Sequence, residues 1–200
     1  MENYKKELPQ EYKEVYHINA KSAKVGVLMT LACIAIMLVV LVPALLIADW
    51  SCILDFTEPY GLIVIFATLI IYVAYIVLHE LTHGVAYKAL THQKLTFGLT
   101  LTVAFCGVPD IYVSRKTALI SLAAPLVTFT IVFLPLTIWL YFVDTLMYIC
   151  SAFLFASHLG GCCGDIFMLL LLGFKYKDKE LLMRDTGPEQ FIYLPEKNLI

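Results

Sequence analysis

The chain has 200 residues, of which 60% are hydrophobic and only 15% are charged. A soluble domain of this size carries about 25% charged and about 45–50% apolar residues. The composition therefore excludes an intrinsically disordered chain, and a net charge of −2 argues against a basic nucleic-acid-binding protein. Long uncharged runs predict a polytopic membrane protein, and the length allows one compact membrane domain with no separate soluble enzyme.

Four segments are long enough to cross a bilayer, which takes about 20 apolar residues in a helix. We therefore expect a mainly α-helical, multi-pass membrane protein. A polar N-terminal segment, residues 1–24, argues against a signal peptide. The membrane domain is expected over residues 25–174, before a polar tail at residues 175–200. The predicted spans cover about residues 25–47, 61–90, 117–143 and 145–174.

The positions of the basic residues predict the orientation of these spans. The 14 lysines and arginines fall before the first span, between the second and third spans, and after the fourth. Four crossings place all three groups on one face, which the positive-inside rule identifies as cytoplasmic. The two opposite connections, near residues 49–60 and at Asp144, contain no lysine or arginine. We expect a protein of a bacterial cell membrane, in contact with lipid and with both termini in the cytoplasm.

The segment between the second and third spans has a different pattern. Residues 95–105 alternate large apolar with small or polar residues, which is typical of a strand. Residues 106–109 contain turn-forming glycine and proline, and residues 110–114 can form a return strand. The pattern predicts a β-hairpin over about residues 95–114 near the cytoplasmic face, with an interfacial loop as the alternative. A second strand signal at residues 190–195 predicts a strand that pairs with this hairpin, or else a solvated tail.

The second predicted helix ends in the metal-binding pattern His79-Glu80-Leu81-Thr82-His83. Residues four apart share a helix face, so both imidazoles can bind one metal ion with Glu80 close by. Glu80 is the only acidic residue between Glu58 and Asp110 and follows 18 uncharged residues. A charge at membrane depth costs about 2.5–3.5 kcal/mol on insertion scales, and such a residue is usually functional or paired. The alternative is a helix end whose polar side chains are simply solvated.

A catalytic zinc site has three protein ligands and one open position, so a third ligand is needed. Asp165 is the best candidate because it is the only acidic residue within the fourth span. It also lies at the depth of His79, since each is about 27–28 Å along its helix from the outer end. Pairing with a lysine or a backbone group is the alternative for Asp165. His158 lies about two turns earlier and is a neighbouring group, an alternative ligand or a core histidine. The weaker ligand candidates are Cys162, Cys163 and Asp110.

Gly160 and Gly164 have the spacing that lets two membrane helices approach closely. We expect these glycines to bring the fourth span against the second, and so to carry Asp165 to the metal site.

Several of these residues together carry a family resemblance. They are the segment from His79 to Gly84, the run Ser121-Leu122-Ala123-Ala124-Pro125 in the third span, and the pair Gly164-Asp165. The chain resembles the site-2-protease class of intramembrane zinc metalloproteases, and more closely a group of small bacterial membrane proteins described as zincin peptidases. The resemblance implies one Zn²⁺ per chain, held by His79, His83 and Asp165, and a membrane protein or peptide as substrate.

The expected reaction is hydrolysis of a peptide bond by a zinc-bound water. Glu80 takes the proton of this water and passes it to the leaving amine. The substrate must unwind locally, and the hairpin can hold the unwound strand by β-augmentation, with Leu99, Leu101 and Val103 as expected contacts. Two other functions stay open: a non-catalytic, zinc-containing membrane scaffold or chaperone, and a metal transporter. Four short spans without an inverted repeat argue against the transporter.

Overall fold

The computed structural model describes residues 3–52, 59–99, 104–177 and 179–198. These residues are mainly helical, and two antiparallel sheets lie among them. The helices are α1 (Ala23–Leu46), α2 (Pro59–Thr91), α3 (Arg115–Tyr141), α4 (Thr145–Gly161) and α5 (Cys163–Leu170), which continues into a π-helical turn (Leu171–Lys175). The strands are β1 (Tyr4–Lys5), β2 (Tyr12–Asn19), β3 (Thr96–Leu99), β4 (Ala104–Gly107), β5 (Tyr112–Ser114), β6 (Leu182–Asp185) and β7 (Glu189–Pro195).

Three helices, α1, α2 and α3, are long and apolar enough to cross a membrane. Their bounds agree with the first three predicted spans to within two residues at each end. The fourth predicted helix is interrupted at Cys162, and α4 passes the same test only together with the helical stretch Cys163–Lys175. Three nearby glycines explain this interruption of the helix, because glycine is about 1 kcal/mol less favourable than alanine inside a helix. They are Gly160, Gly161 and Gly164.

The chain divides into two compact units. We name the first the sheet unit; it contains Met1–Leu28, Val77–Pro125 and Gly164–Ile200. The second is the helical unit, which contains Met29–Ile76 and Leu126–Cys163.

A five-stranded antiparallel sheet with the order β1-β5-β6-β7-β2 organises the sheet unit. β7 pairs with β6 through Met183 and Ile192, and with β2 on its other side. Both of these side chains are fully buried, in one core with Tyr87 of α2, Leu122 of α3 and Met168 of α5. The sheet therefore packs directly on the helix segments of its own unit.

The predicted hairpin exists, but its strands are different. Residues 96–99 pair with residues 104–107, so the segment predicted as a single strand contributes to two strands that pair with each other. Cys106 and Gly107, predicted as a turn, lie inside β4, where they pair with Phe97 and Thr96. Close packing also requires glycine at position 107. A Cβ on Gly107 would lie 2.4 Å from the amide nitrogen of Gly187. The predicted return strand, β5, belongs to the larger sheet instead.

Both polar ends of the chain contribute strands. The predicted strand at residues 190–195 is confirmed as β7, which pairs with β6 and β2 rather than with the hairpin. The N-terminal segment supplies β1 and β2, which the sequence did not predict. In β2 the register shifts between Glu14 and Tyr16, and this bulge breaks the period of two by which a strand is identified.

Of Gly160 and Gly164, which are four residues apart, only Gly160 packs closely against another helix. A Cβ at this position would lie 2.9 Å from the backbone oxygen of Cys33 and 2.5 Å from Met37, both in α1. At Gly164 a Cβ would meet no atom within 4 Å. The expectation that this spacing packs against the second span is therefore wrong, since Gly160 packs against the first.

Gly160→Ala is predicted to destabilise the protein by about 1–3 kcal/mol, because the new methyl group overlaps the backbone of α1. Gly164→Ala is the matched control, and open space there predicts an unchanged or slightly higher stability. Unfolding of the full chain in detergent measures both effects. Equal midpoints for the two variants would contradict the assigned contact.

Candidate metal centre

The two histidines of the second span lie on one buried face of α2. His79 and His83 are only 8% and 7% exposed, and their ring centroids are 5.0 Å apart. They are four residues apart, so the helix places both rings in successive turns on the same side. Glu80 follows His79 directly and is partly exposed. The structure therefore gives the three residues the arrangement that their spacing predicts.

Asp165 brings a carboxylate between the two imidazoles. Its Oδ2 lies 3.3 Å from Nε2 of His79, and its Oδ1 lies 3.4 Å from Nε2 of His83. Asp165 is in the first turn of α5, where the helix dipole favours a negative charge. All three residues belong to the sheet unit. Asp165 thus faces the two histidines, whereas the depth argument predicted only that it lies at their level.

The three side chains form a group that could hold one metal ion. One ligand atom of each residue lies within 4.8 Å of the other two. The carboxylate reaches the two histidines through different oxygens, at ion-pair distances of 3.3 and 3.4 Å. Zinc binds nitrogen and oxygen ligands at about 2.0–2.2 Å, so an ion between these groups would draw them into direct coordination. Two imidazoles and one carboxylate are also a donor set that suits zinc.

A backbone carbonyl of α3 orients one of the candidate ligands. The oxygen of Ser121 lies 2.8 Å from Nδ1 of His83, in a buried contact. A carbonyl oxygen can only accept a hydrogen bond, so Nδ1 is the donor and Nε2 is the nitrogen that faces Asp165. Metal-bound histidines usually have such a partner on the second ring nitrogen. Sequence reasoning missed this contact because it involves a main-chain atom.

A buried carboxylate from the C-terminal hairpin of the sheet contacts the same face of α2. Tyr87 lies one turn beyond His83, and its hydroxyl donates a 2.7 Å hydrogen bond to Oδ2 of Asp185. The backbone amide of Gly187 donates to Oδ1 at 2.8 Å, and the Gln190 side chain donates to Oδ2 at 3.4 Å. Asp185 is 3% exposed. Tyr87 could have been predicted near this site only from its position four residues after His83. Asp185 lies in a polar tail, and no sequence pattern there points to the site.

The β3–β4 hairpin lies beside the second histidine. Gly84 follows His83, and a Cβ there would lie 2.7 Å from the ring of Phe97 and 3.2 Å from the sulfur of Cys106. This glycine allows the hairpin to lie directly on α2. Of the predicted substrate-contact residues, Leu99 belongs to β3, whereas Leu101 and Val103 lie outside the described residues.

His158 has hydrogen-bonding groups on both ring nitrogens within the helical unit. Nδ1 lies 3.0 Å from the hydroxyl of Tyr75, and Nε2 lies 3.1 Å from the hydroxyl of Thr130. The sulfur of Cys162 is 3.6 Å from Nδ1, and the histidine is fully buried. These contacts agree with a hydrogen-bonded core histidine, the third of the roles considered for it. A role for His158 as a ligand or neighbour of the metal remains a prediction.

Comparison with known proteins supports the chemistry of this site. The model of a family described as "Putative zincin peptidase" matches residues 71–179, which are 109 of the 200 residues of the chain. The matched region contains His79, Glu80, His83 and Asp165, whereas Asp185 lies beyond it. No curated protein and no solved structure matches the chain.

Asp185 is predicted to make the stability of the metal-free protein depend on pH. Burial raises the pKa of this carboxyl from 3.8 to about 6, although hydrogen bonds from Tyr87 and Gly187 oppose the shift. The folded state therefore holds the proton more tightly than the unfolded state. This contribution to stability is complete below about pH 4 and is lost as the pH rises through about 6.

Between pH 4 and pH 7 we expect wild type to lose on the order of 3 kcal/mol relative to Asp185→Asn. Chemical unfolding of the full chain in detergent and a chelator measures this difference. Asp110→Asn, at an exposed position, is the control and should follow wild type. A constant difference between wild type and Asp185→Asn across this range would contradict the assigned environment.

Proposed function

The chain belongs to the family of putative zincin peptidases, and we propose that it is a site-2-protease-like intramembrane zinc metallopeptidase. It hydrolyses peptide bonds of membrane-associated protein substrates, with Glu80 as general base. The observation that carries the proposal is the approach of one Asp165 carboxylate to both imidazoles, at 3.3 and 3.4 Å.

The ligand set of the proposed site is His79, His83 and Asp165, with one zinc ion per chain. When bound there, zinc would lower the pKa of a water molecule towards about 7 and would polarise a substrate carbonyl. The three side chains would hold the ion, and the Ser121 carbonyl accepts a hydrogen bond from Nδ1 of His83 and so orients that ring. This contact leaves Nε2 of His83 as the ring nitrogen on the side of Asp165.

Glu80 has the position that a general base requires. It lies next to His79 in the same turn of α2 and is partly exposed, so solvent and substrate can reach its carboxylate. The carboxylate accepts the proton of the attacking water and then donates it to the leaving amine, a contribution worth about 10²–10⁴ in rate. Glutamine at this position keeps the shape of the side chain but cannot accept the proton.

Exposed apolar surface supports a location in the membrane. α1 has no buried residue, and Val39 and Leu46 are 75% and 78% exposed. A soluble monomer rarely exposes a contiguous apolar patch larger than a few hundred Å², so a lipid environment explains this helix better than water. Four crossings with both termini in the cytoplasm place every lysine and arginine on one side.

The hairpin is the proposed site for the substrate strand. A helical substrate hides its carbonyl groups in internal hydrogen bonds, so a segment must unwind before cleavage. The contact of Phe97 and Cys106 with Gly84 supports this role, because it holds the hairpin beside His83. An extended segment can pair with the hairpin backbone there, near Leu99, Leu101 and Val103.

Glu80→Gln tests the proposal. We expect the variant to retain one zinc per chain and to lose at least 10²-fold in cleavage rate, so that uncleaved membrane proteins accumulate. Comparative membrane proteomics measures the accumulation, and elemental analysis of the purified protein measures zinc. Glu14→Gln, at an exposed position on β2, is the matched control.

Two other outcomes point to other functions. Bound zinc with unchanged cleavage products in Glu80→Gln would contradict the peptidase and favour a zinc-containing scaffold. Metal uptake into vesicles that survives Glu80→Gln would favour a transporter.

A further inference from the structure

We propose that Pro125 is a positioning residue for the metal ligand His83. By having no amide hydrogen, Pro125 leaves the Ser121 carbonyl available to hold the His83 ring with Nε2 on the side of Asp165. This inference rests on the proposed metal site and adds to it a residue that touches neither the metal nor the substrate.

The relation between Ser121 and Pro125 follows from helix geometry. In an α-helix the carbonyl of residue i accepts a hydrogen bond from the amide of residue i+4. Both residues lie inside α3, and the residue four positions after Ser121 is Pro125. Proline has no amide hydrogen, so the helix cannot supply the usual donor to this carbonyl.

The freed carbonyl needs another donor because it is buried. Ser121 is fully buried, and a buried polar group without a partner costs about 1–3 kcal/mol. Proline within a membrane helix is tolerated where a neighbouring group satisfies the freed backbone atom. Here Nδ1 of His83, at 2.8 Å, is that group.

The consequence for the metal site is a fixed ring orientation. With Nδ1 bonded to the Ser121 carbonyl, Nε2 points to the side where the carboxylate of Asp165 lies 3.4 Å away. An amide at residue 125 would compete with Nδ1 for this carbonyl and weaken the contact that holds the ring. A ring held less firmly would bind a metal less tightly.

Replacing Pro125 by alanine restores the amide and therefore tests the proposal. We expect Pro125→Ala to weaken zinc binding by about 10–100-fold, the usual effect of losing an outer partner of a metal-bound histidine. Competition with a zinc chelator on the full chain in detergent measures this affinity. Pro135→Ala, in the same helix ten residues further on, is the matched control and should bind zinc like wild type.

Nitrogen NMR of the histidines gives a readout that does not depend on activity. In wild type we expect Nδ1 of His83 to carry a proton that is donated to the Ser121 carbonyl; in Pro125→Ala we expect this hydrogen bond to weaken. A wild-type His83 without a proton on Nδ1 would overturn the inference, as would wild-type zinc affinity in Pro125→Ala. If His83→Ala binds zinc as tightly as wild type, the proposed metal site itself fails.

Discussion

The approach of one carboxylate to two imidazoles, within otherwise apolar helices, is the interaction on which the rest of the structure depends. Burying these groups is unfavourable unless each finds a partner. His79 and His83 obtain theirs from Asp165, in a geometry whose 3.3 and 3.4 Å distances leave room for a shared ion. The spacing of the two histidines along α2 and the start of α5 at Cys163 determine which side chains face each other.

Further contacts surround the candidate ligands of α2. The Ser121 carbonyl accepts a hydrogen bond from His83. One turn further along α2, Tyr87 donates to Asp185, a residue of the sheet. The sheet is built from both ends of the chain, since β1 and β2 precede α1 while β6 and β7 follow the last helix. The terminal segments are therefore part of the unit that contains the candidate metal centre.

Two features of the sequence predict part of this candidate site. They are the spacing of the two histidines and the small number of charged residues within the predicted spans. His79 and His83 follow from a separation of four residues, and Asp165 follows from being the only acid in its span. Contacts between residues far apart in the sequence produce no comparable sequence pattern. Asp185 is one of several polar residues near the C-terminus, and nothing local distinguishes it. The bulge in β2 interrupts the alternating pattern by which a strand is predicted. Gly107 is predicted as a turn residue, although it is close packing against Gly187 that requires glycine there.

X-ray absorption spectroscopy at the zinc edge, on the purified full-length chain with its metal content measured, tests the central claim most directly. The account predicts one zinc per chain, with nitrogen and oxygen ligands at about 2.0–2.2 Å, the signature of two imidazoles and no sulfur. A chain that takes up no zinc would contradict it. So would a sulfur ligand at about 2.3 Å, because none of the proposed ligands is a cysteine.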